Sequence, residues 1–403
     1  MPFRTAISGL RASMTDLSTI GNNVANASTT GFKKSRAEFA DIYAASNLGV
    51  AGDTPGSGVN VSRIAQQFSQ GTVSFTENAL DLAINGNGFF VVNDGGSNLY
   101  TRAGAFGVDR EGYVVNAQNQ RLQAFQADTS GTITGALSDL LINTANVAPS
   151  ATTAVTVGLN LDSSSSVPTV ATFDPTNTSS YNNATSTTIY DSLGNSHVAS
   201  MYYVKTGANA WDTYTYVDGV AVDGPTALTF DTSGALTAPA GGAFATASFT
   251  PSGGGAAMTL DLSYGTSTQY GSPFSVNSMV QDGYTTGTLS GLDIDTSGII
   301  FARYSNGQAV TLGQVALANF ANPQGLQPVG DTAWAETFEA GAPLVSAPGS
   351  SNLGLIQGGA LEESNVDLSE ELVKMIVAQR NFQANAQVIQ TADQVTQSII
   401  NIR

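Results

Sequence analysis

The stretch LEESNVDLSEELVKMIVAQRNFQANAQVIQTADQVTQSIINIR, residues 361–403, decides the fold. It is the one long segment with neither Gly nor Pro, so nothing in it interrupts a helix. Asp367 is placed to cap the helix start, with Glu370 three residues on to complete a capping box. Glu371 adds negative charge to the first turn, where the helix dipole favours it. From there Leu368, Leu372, Met375, Gln379, Phe382, Ala386 and Ile389 recur at alternating spacings of four and three. A second stripe, Val388, Ala392, Val395, Ile399 and Ile402, keeps that rhythm to the end. This heptad-like seam predicts a helix roughly 50–55 Å long. A helix of that length packs against another long helix more readily than into a small core.

The other end of the chain supplies the counterpart. Phe3, Ile7, Leu10, Met14, Leu17, Gly21 and Val24 follow the same alternation, with mostly polar residues between them. Two readings of the periodicity stand side by side. The terminal helices pair with each other, with copies from other chains, or both; or they form an ordinary two-helix layer on one globular domain.

Composition narrows the function. The 403 residues are enough for about two to four domains. A net charge of −17 with only 14 Lys and Arg argues against nucleic acid or an anionic membrane surface as the main partner. There is no cysteine, hence no disulfide framework and no thiol chemistry. No run of eighteen apolar residues predicts a membrane span. Ser8, Arg11, Ser13, Thr15 and Asp16 interrupt the N-terminal segment, so no cleavable secretory signal is expected there.

Beyond the first helix, Asn22 to Gly31 is dense in Asn, Ser and Thr and reads as a turn. Lys33, Lys34 and Arg36 form a basic cluster, read either as a solvated face or as a contact with an acidic neighbour. Residues 46–58 read as a flexible loop. From about residue 72 the period changes to alternation. Phe89-Phe90-Val91-Val92-Asn93 reads as a buried strand, and Asp-x-x-Gly turns at Asp109, Asp191, Asp231 and Asp295 punctuate strand pairs. The pattern predicts a hairpin-rich, antiparallel β architecture.

Charge marks an insertion. Between Arg121 and Arg303 the only Lys or Arg is Lys205, against thirteen aspartates. The fold class expected is therefore multidomain α+β: terminal helices in a coiled-coil-like layer, and mostly antiparallel β domains with the outer one inserted into the inner one. The boundaries read as a helical layer of residues 1–28 with 365–403, a connecting segment of 29–71 with 359–364, an inner β domain of 72–145 with 285–358, and an outer acidic β domain of 146–284.

The search for chemistry finds little. His197 is the only histidine and follows a hairpin turn, where an exposed or half-buried strand position is expected. With no Cys and one His, a zinc or copper site lacks ligands. Gly86-Asn87-Gly88 precedes a strand and lacks the third glycine of a dinucleotide loop. No catalytic, metal or cofactor site is expected. An all-β hydrolase with paired carboxylates, acting on carbohydrate outside the cell, is the best enzymatic alternative.

Three motifs, read together, resemble the bacterial flagellar rod and hook family of axial proteins, and within it the hook branch. The first runs through Gly21, Asn22, Asn23, Val24 and Asn26 to Thr30, Gly31, Phe32 and Lys33. The second is Leu80 to Phe90, including Gly86, Gly88, Phe89 and Phe90, followed by Tyr100 to Phe106. The third runs from Gly359 through Asn365 and Asp367 to Gln379, Arg380, Asn381 and Phe382. In this order, at both ends of one chain, they are highly specific. One departure is Thr332, where hook proteins commonly carry Asn. Residues 146–284 hold no identifying motif.

The resemblance implies a structural subunit that self-assembles into the flexible tubular hook, a universal joint carrying torque from rod to filament. It implies terminal helices forming an inner tube through Phe3, Ile7, Leu10, Met14, Leu17, Val24, Leu368, Leu372, Met375, Phe382, Ile389, Val395, Ile399 and Ile402. Its implied partners are copies of itself, rod proteins, hook cap and hook–filament junction proteins, and the flagellar export apparatus. It implies export without a cleaved signal. A distal rod subunit is the alternative within the family, and the long acidic insertion speaks against it.

Overall fold

The computed structural model describes residues 2–42, 56–128, 130–350 and 352–401. Among them are two α-helices, α1 (Pro2–Ala25) and α2 (Leu368–Asn401), and strands that pair almost entirely antiparallel. The exceptions are the parallel pairings of Ala154–Asp162 with Asp261–Ser263 and with Thr268–Tyr270. Of the loop expected at 46–58, the part up to residue 55 lies outside the described residues, as does Ile402.

The chain divides into two compact units. The first comprises Met1–Asn143, Gly291–Arg303 and Ala309–Arg403; the second comprises Thr144–Ser290 and Tyr304–Gln308. In the first, the two helices pack along each other, and α1 also lies against the hairpin of β1 (Ser35–Asp41) and β2 (Val59–Gln66). The main sheet of this unit interleaves two distant pieces of sequence. Arg121–Ala127 lies between Ala309–Val315 and Phe89–Asp94, and Ser97–Thr101 lies between Phe89–Asp94 and Ala333–Ala335. Phe89 anchors the core edge-on to Phe68, Phe320 and Trp334, and Phe90 meets Phe106 at 5.5 Å.

In the second unit, strict alternation along Ser196–Gly207 and Ala210–Val217 sends Met201, Tyr203, Trp211 and Val217 into one core. Val155, Val157, Leu159 and Leu161 fill it from a second sheet. On the opposite face, Tyr202, Tyr214 and Tyr216 stand half-buried under Phe173, which stacks on Tyr214 at 4.1 Å.

The four Asp-x-x-Gly turns share one construction. The carbonyl of Asp109, Asp191, Asp231 or Asp295 accepts from the glycine N–H three residues on. Each carboxylate also takes the N–H four residues on. All four glycines have φ between 76° and 94°, a region that costs other residues steric strain. Asp128–Gly131 is a fifth copy.

Two local features differ from the sequence reading. Asp367 caps α2, accepting from the backbone of Ser369 at 2.8 Å and Glu370 at 3.1 Å. Glu370 does not reach back to close a capping box; its carboxylate goes instead to Lys374 and Lys34. His197 is buried, and neither exposed nor half-buried. Its Nδ1 lies 2.7 Å from Asp218 and its Nε2 lies 3.5 Å from Asp191. The two acids belong to different hairpin turns that close over the ring.

Candidate assembly interface

The helix layer is built from both ends of the chain. On α2 the face turned to the protein carries Glu371, Met375, Ala378, Phe382, Asn385, Ala386, Ile389 and Ala392. Met375, Phe382 and Ile389 belong to the stripe read from the sequence. Leu368, Leu372 and Gln379 do not face inward; they are exposed. Each heptad step admits +3 or +4, and the chain uses the smaller Ala378 where the stripe used Gln379. The two helices approach closely further along: a Cβ on Gly9 would come within 2.6 Å of Asn385 Oδ1.

On α1, Ala6, Ala12, Thr19, Ile20 and Asn23 are buried, Ile7, Leu10, Leu17 and Val24 half-buried, and Phe3 and Met14 about half exposed. The second stripe of α2 is exposed at Val388 and Val395 and half-buried at Ala392; the side chain of Ile399 lies outside the described residues. The outward face of α2 thus presents Leu368, Leu372, Val373, Ile376, Val377, Val388 and Val395 to solvent. Among the family-motif residues on this helix, Gln379 and Arg380 are exposed as well.

Polar contacts fix the base of the layer. Asn23 Nδ2 donates to Glu371 Oε2 at 3.0 Å and to the Ser35 carbonyl at 2.8 Å, while its Oδ1 accepts from Ser35 N. Burial, reinforced by the Glu371 charge and opposed by Lys374, raises the Asp16 carboxyl above the usual range. Asn365 accepts from the Lys34 backbone at 2.7 Å and donates to the carbonyls of Gln67 and Ser69. Asn22 and Asn26 stabilise the end of α1: Asn26 Nδ2 donates to the Asn22 carbonyl, and Thr29 donates to Asn26.

Beneath this lies a buried charge cluster whose partners and burial the sequence does not signal. Lys33 Nζ stands 2.5 Å from Glu362 Oε1, with both side chains fully buried, and Arg102 reaches the other carboxylate oxygen at 3.0 Å. Glu362 also accepts from Gly71 N, and Lys33 donates to the Ser69 carbonyl. Arg102 donates onward to the carbonyls of Ile84 and Gly86. Burial pushes the Lys33 ammonium down, and Glu362 opposes the shift. Of the two readings of Lys33, the contact with an acid of this chain holds and the solvated face does not. Lys33 meets an acid 329 residues away, which no local pattern signals.

The remaining motif residues serve close approach. Gly31 (φ 70°) donates to the Glu362 carbonyl, and a Cβ there would strike Ala103 N at 2.4 Å. Gly86 and Gly88 have φ near 120° and pack against Gly354 and Leu353. Thr30 and Phe32 are half-buried, with Phe32 N bonded to the Thr29 carbonyl. The arrangement gathers polar groups from both ends of the chain into a rigid base, and leaves apolar helix surface outside it. Among the described residues no group of three or more acids or histidines is placed to hold a metal ion. No helix among them is long and apolar enough to cross a membrane.

Comparison with known proteins defines the class. Residues 3–33 match the family described as flagella basal body rod protein, and residues 83–160 match the flagellar hook protein FlgE/F/G D1 domain. Residues 160–284 match the flagellar basal body protein FlaE D2 domain, and residues 357–402 match the flagellar basal body rod FlgEFG protein C-terminal family. These are axial structural proteins of the bacterial flagellum. Relatives include the flagellar hook protein FlgE of Escherichia coli, 42% identical over the whole of both chains, and that of Salmonella typhimurium at 41%. The FlgE of Borreliella burgdorferi is 34% identical over 99% of this chain and 98% of its own. The chain belongs to the flagellar hook protein family. The crystal structure of Helicobacter pylori flagellar hook protein FlgE2 shares the fold, with a TM-score of 0.53 over 72% of this chain and all of that one, at 14% identity.

Proposed function

We propose that this chain is the repeating subunit of the flexible tubular hook, a universal joint that carries torque from rod to filament. The observation that carries the reading is the outward face of α2, where Leu372, Val373, Ile376 and Val377 are exposed on one helix. Neighbouring copies cover this face, each through different patches, so that subunits add without closing a ring. The terminal helices form the inner tube through the residues of both stripes. The inner β domain (72–145 with 285–358) joins the helices through 29–71 and 359–364, and the acidic domain 146–284 is inserted into the inner one. Its Ser/Thr/Asp-rich surface makes wet, replaceable contacts, as sliding between neighbours during bending requires.

The chain binds its own copies first, then rod proteins, hook cap and hook–filament junction proteins, and the export apparatus that delivers it without a cleaved signal. It acts as a structural element, with no catalytic step and no cofactor. Electron microscopy of the purified chain under polymerising conditions tests the proposal. Curved tubes are expected; straight rigid rods favour a rod subunit, and no polymer at any concentration overturns the reading.

A further inference from the structure

Phe338 is the most exposed large apolar side chain among the described residues, standing entirely in solvent. The backbone around it is anchored. Thr337 Oγ1 donates to the Gly325 carbonyl, Ala340 N to the Thr337 carbonyl, and Asn322 Nδ2 to the Glu339 carbonyl. Ala340 is fully buried, and a Cβ on Gly325 would come within 2.5 Å of its nitrogen. The backbone that carries the ring is therefore already fixed, which lowers the ordering cost of binding through it. Glu336 and Glu339, both exposed, flank it.

Elsewhere on the same unit, a groove between α1 and the β1–β2 hairpin offers the complement. Ile7, Ile42, Val59 and Val61 line it, with Arg4 and Arg11 alongside. Among the described residues neither arginine has an ion-pair partner, in a chain of net charge −17 with few cations to spare.

We propose that Phe338 of one copy seats in the Arg4/Arg11 groove of a second copy, with Glu336 and Glu339 facing the two arginines. Knob and groove are different patches, so the contact is heterologous and propagates an open helix. The inference rests on the polymer reading above and adds a contact that does not use the outward face of α2.

The test compares full-length variants by sedimentation. Phe338→Ala raises the critical concentration for assembly about tenfold while the thermal transition of the monomer stays put. Glu339→Arg also raises it, and adding Arg11→Glu in the same chain restores assembly. Because the chain has no cysteine, the contact has a second readout. Phe338→Cys combined with Val61→Cys gives a ladder of disulfide-linked multimers on oxidation, and neither single variant does. Assembly of Phe338→Ala at the unaltered concentration, or absence of the ladder, overturns the proposal. Failure of the unaltered chain to form tubes strikes the polymer reading instead; tubes without a ladder strike only this contact.

Discussion

The base of the helix layer and the outward face of α2 lie on the same unit and are built on opposite plans. At the base, Lys33, Arg102, Glu362, Asn23 and Glu371 are charged or polar and buried, each with partners from distant parts of the same chain. On the outward face, Leu372, Val373, Ile376 and Val377 are apolar and exposed. Burial of charge demands partners fixed in place, because an unpaired buried ion is costly. Exposed apolar surface on a helix has no such partner inside the chain and is satisfied by contact with another molecule. The difference separates what one subunit settles alone from what the polymer settles.

The largest expected effect comes from breaking the base. Glu362→Gln leaves two buried cations facing a neutral amide and lowers the stability of the helix-bearing unit by about 3–5 kcal/mol, measured by denaturant titration. Replacing Lys33, Glu362 and Arg102 together by Met, Leu and Met costs far less, since no uncompensated charge remains. If the single and triple variants are equally unstable, the electrostatic account of the base fails. Next, Asn23→Ala removes donors and an acceptor shared by Ser35 and Glu371 and lowers stability by about 1–3 kcal/mol in the same assay.

Smaller effects lie outside both regions. Asp331 (φ 49°) and Thr332 (φ 56°) form the two-residue turn joining Gln327–Gly330 to Ala333–Ala335. A β-branched residue is strained there, and Asn tolerates it, so Thr332→Asn gains about 1 kcal/mol in thermal unfolding. In the second unit, burial disfavours the His197 imidazolium, but Asp218 and Asp191 outweigh it and raise the pKa above its ordinary value. Hydrogen bonds hold the Asp191 carboxyl at about 2 despite burial, so it stays charged near neutrality. A raised folded-state pKa gives stability that is full below the unfolded value of about 6.5 and is lost as pH rises through the folded value. Unfolding of the full chain followed against pH shows that decline, and His197→Gln flattens it.

Local signals were legible in the sequence, and long-range ones were not. Both terminal helices follow from periodicity within a few residues, and the Asp-x-x-Gly turns follow from a carboxylate and a glycine three apart. The phase of the α2 stripe is half legible. Met375, Phe382 and Ile389 fit either choice between +3 and +4, and the spacing alone does not say that Ala378 is buried and Gln379 exposed. Glu370 fits a capping box by spacing, yet Lys374 and Lys34 offer it an ion pair. For Lys33 the reading as a contact with an acid holds, but its partner and its burial were not legible, and His197 was misread as exposed or half-buried, because their acids arrive from elsewhere: Glu362 lies 329 residues away, and Asp191 and Asp218 come from two separate turns.

The central claim is that the outward face of α2 is unused in the monomer and required in the tube. Ile376→Asp combined with Val377→Asp in the full chain tests it most directly, by paired measurements of thermal unfolding and of tubes in the electron microscope. The account predicts a monomer transition shifted by no more than about 0.5 kcal/mol per substitution, as for ordinary exposed sites, and no tubes at concentrations where the unaltered chain assembles fully. Tubes of normal number and curvature from the variant would contradict it.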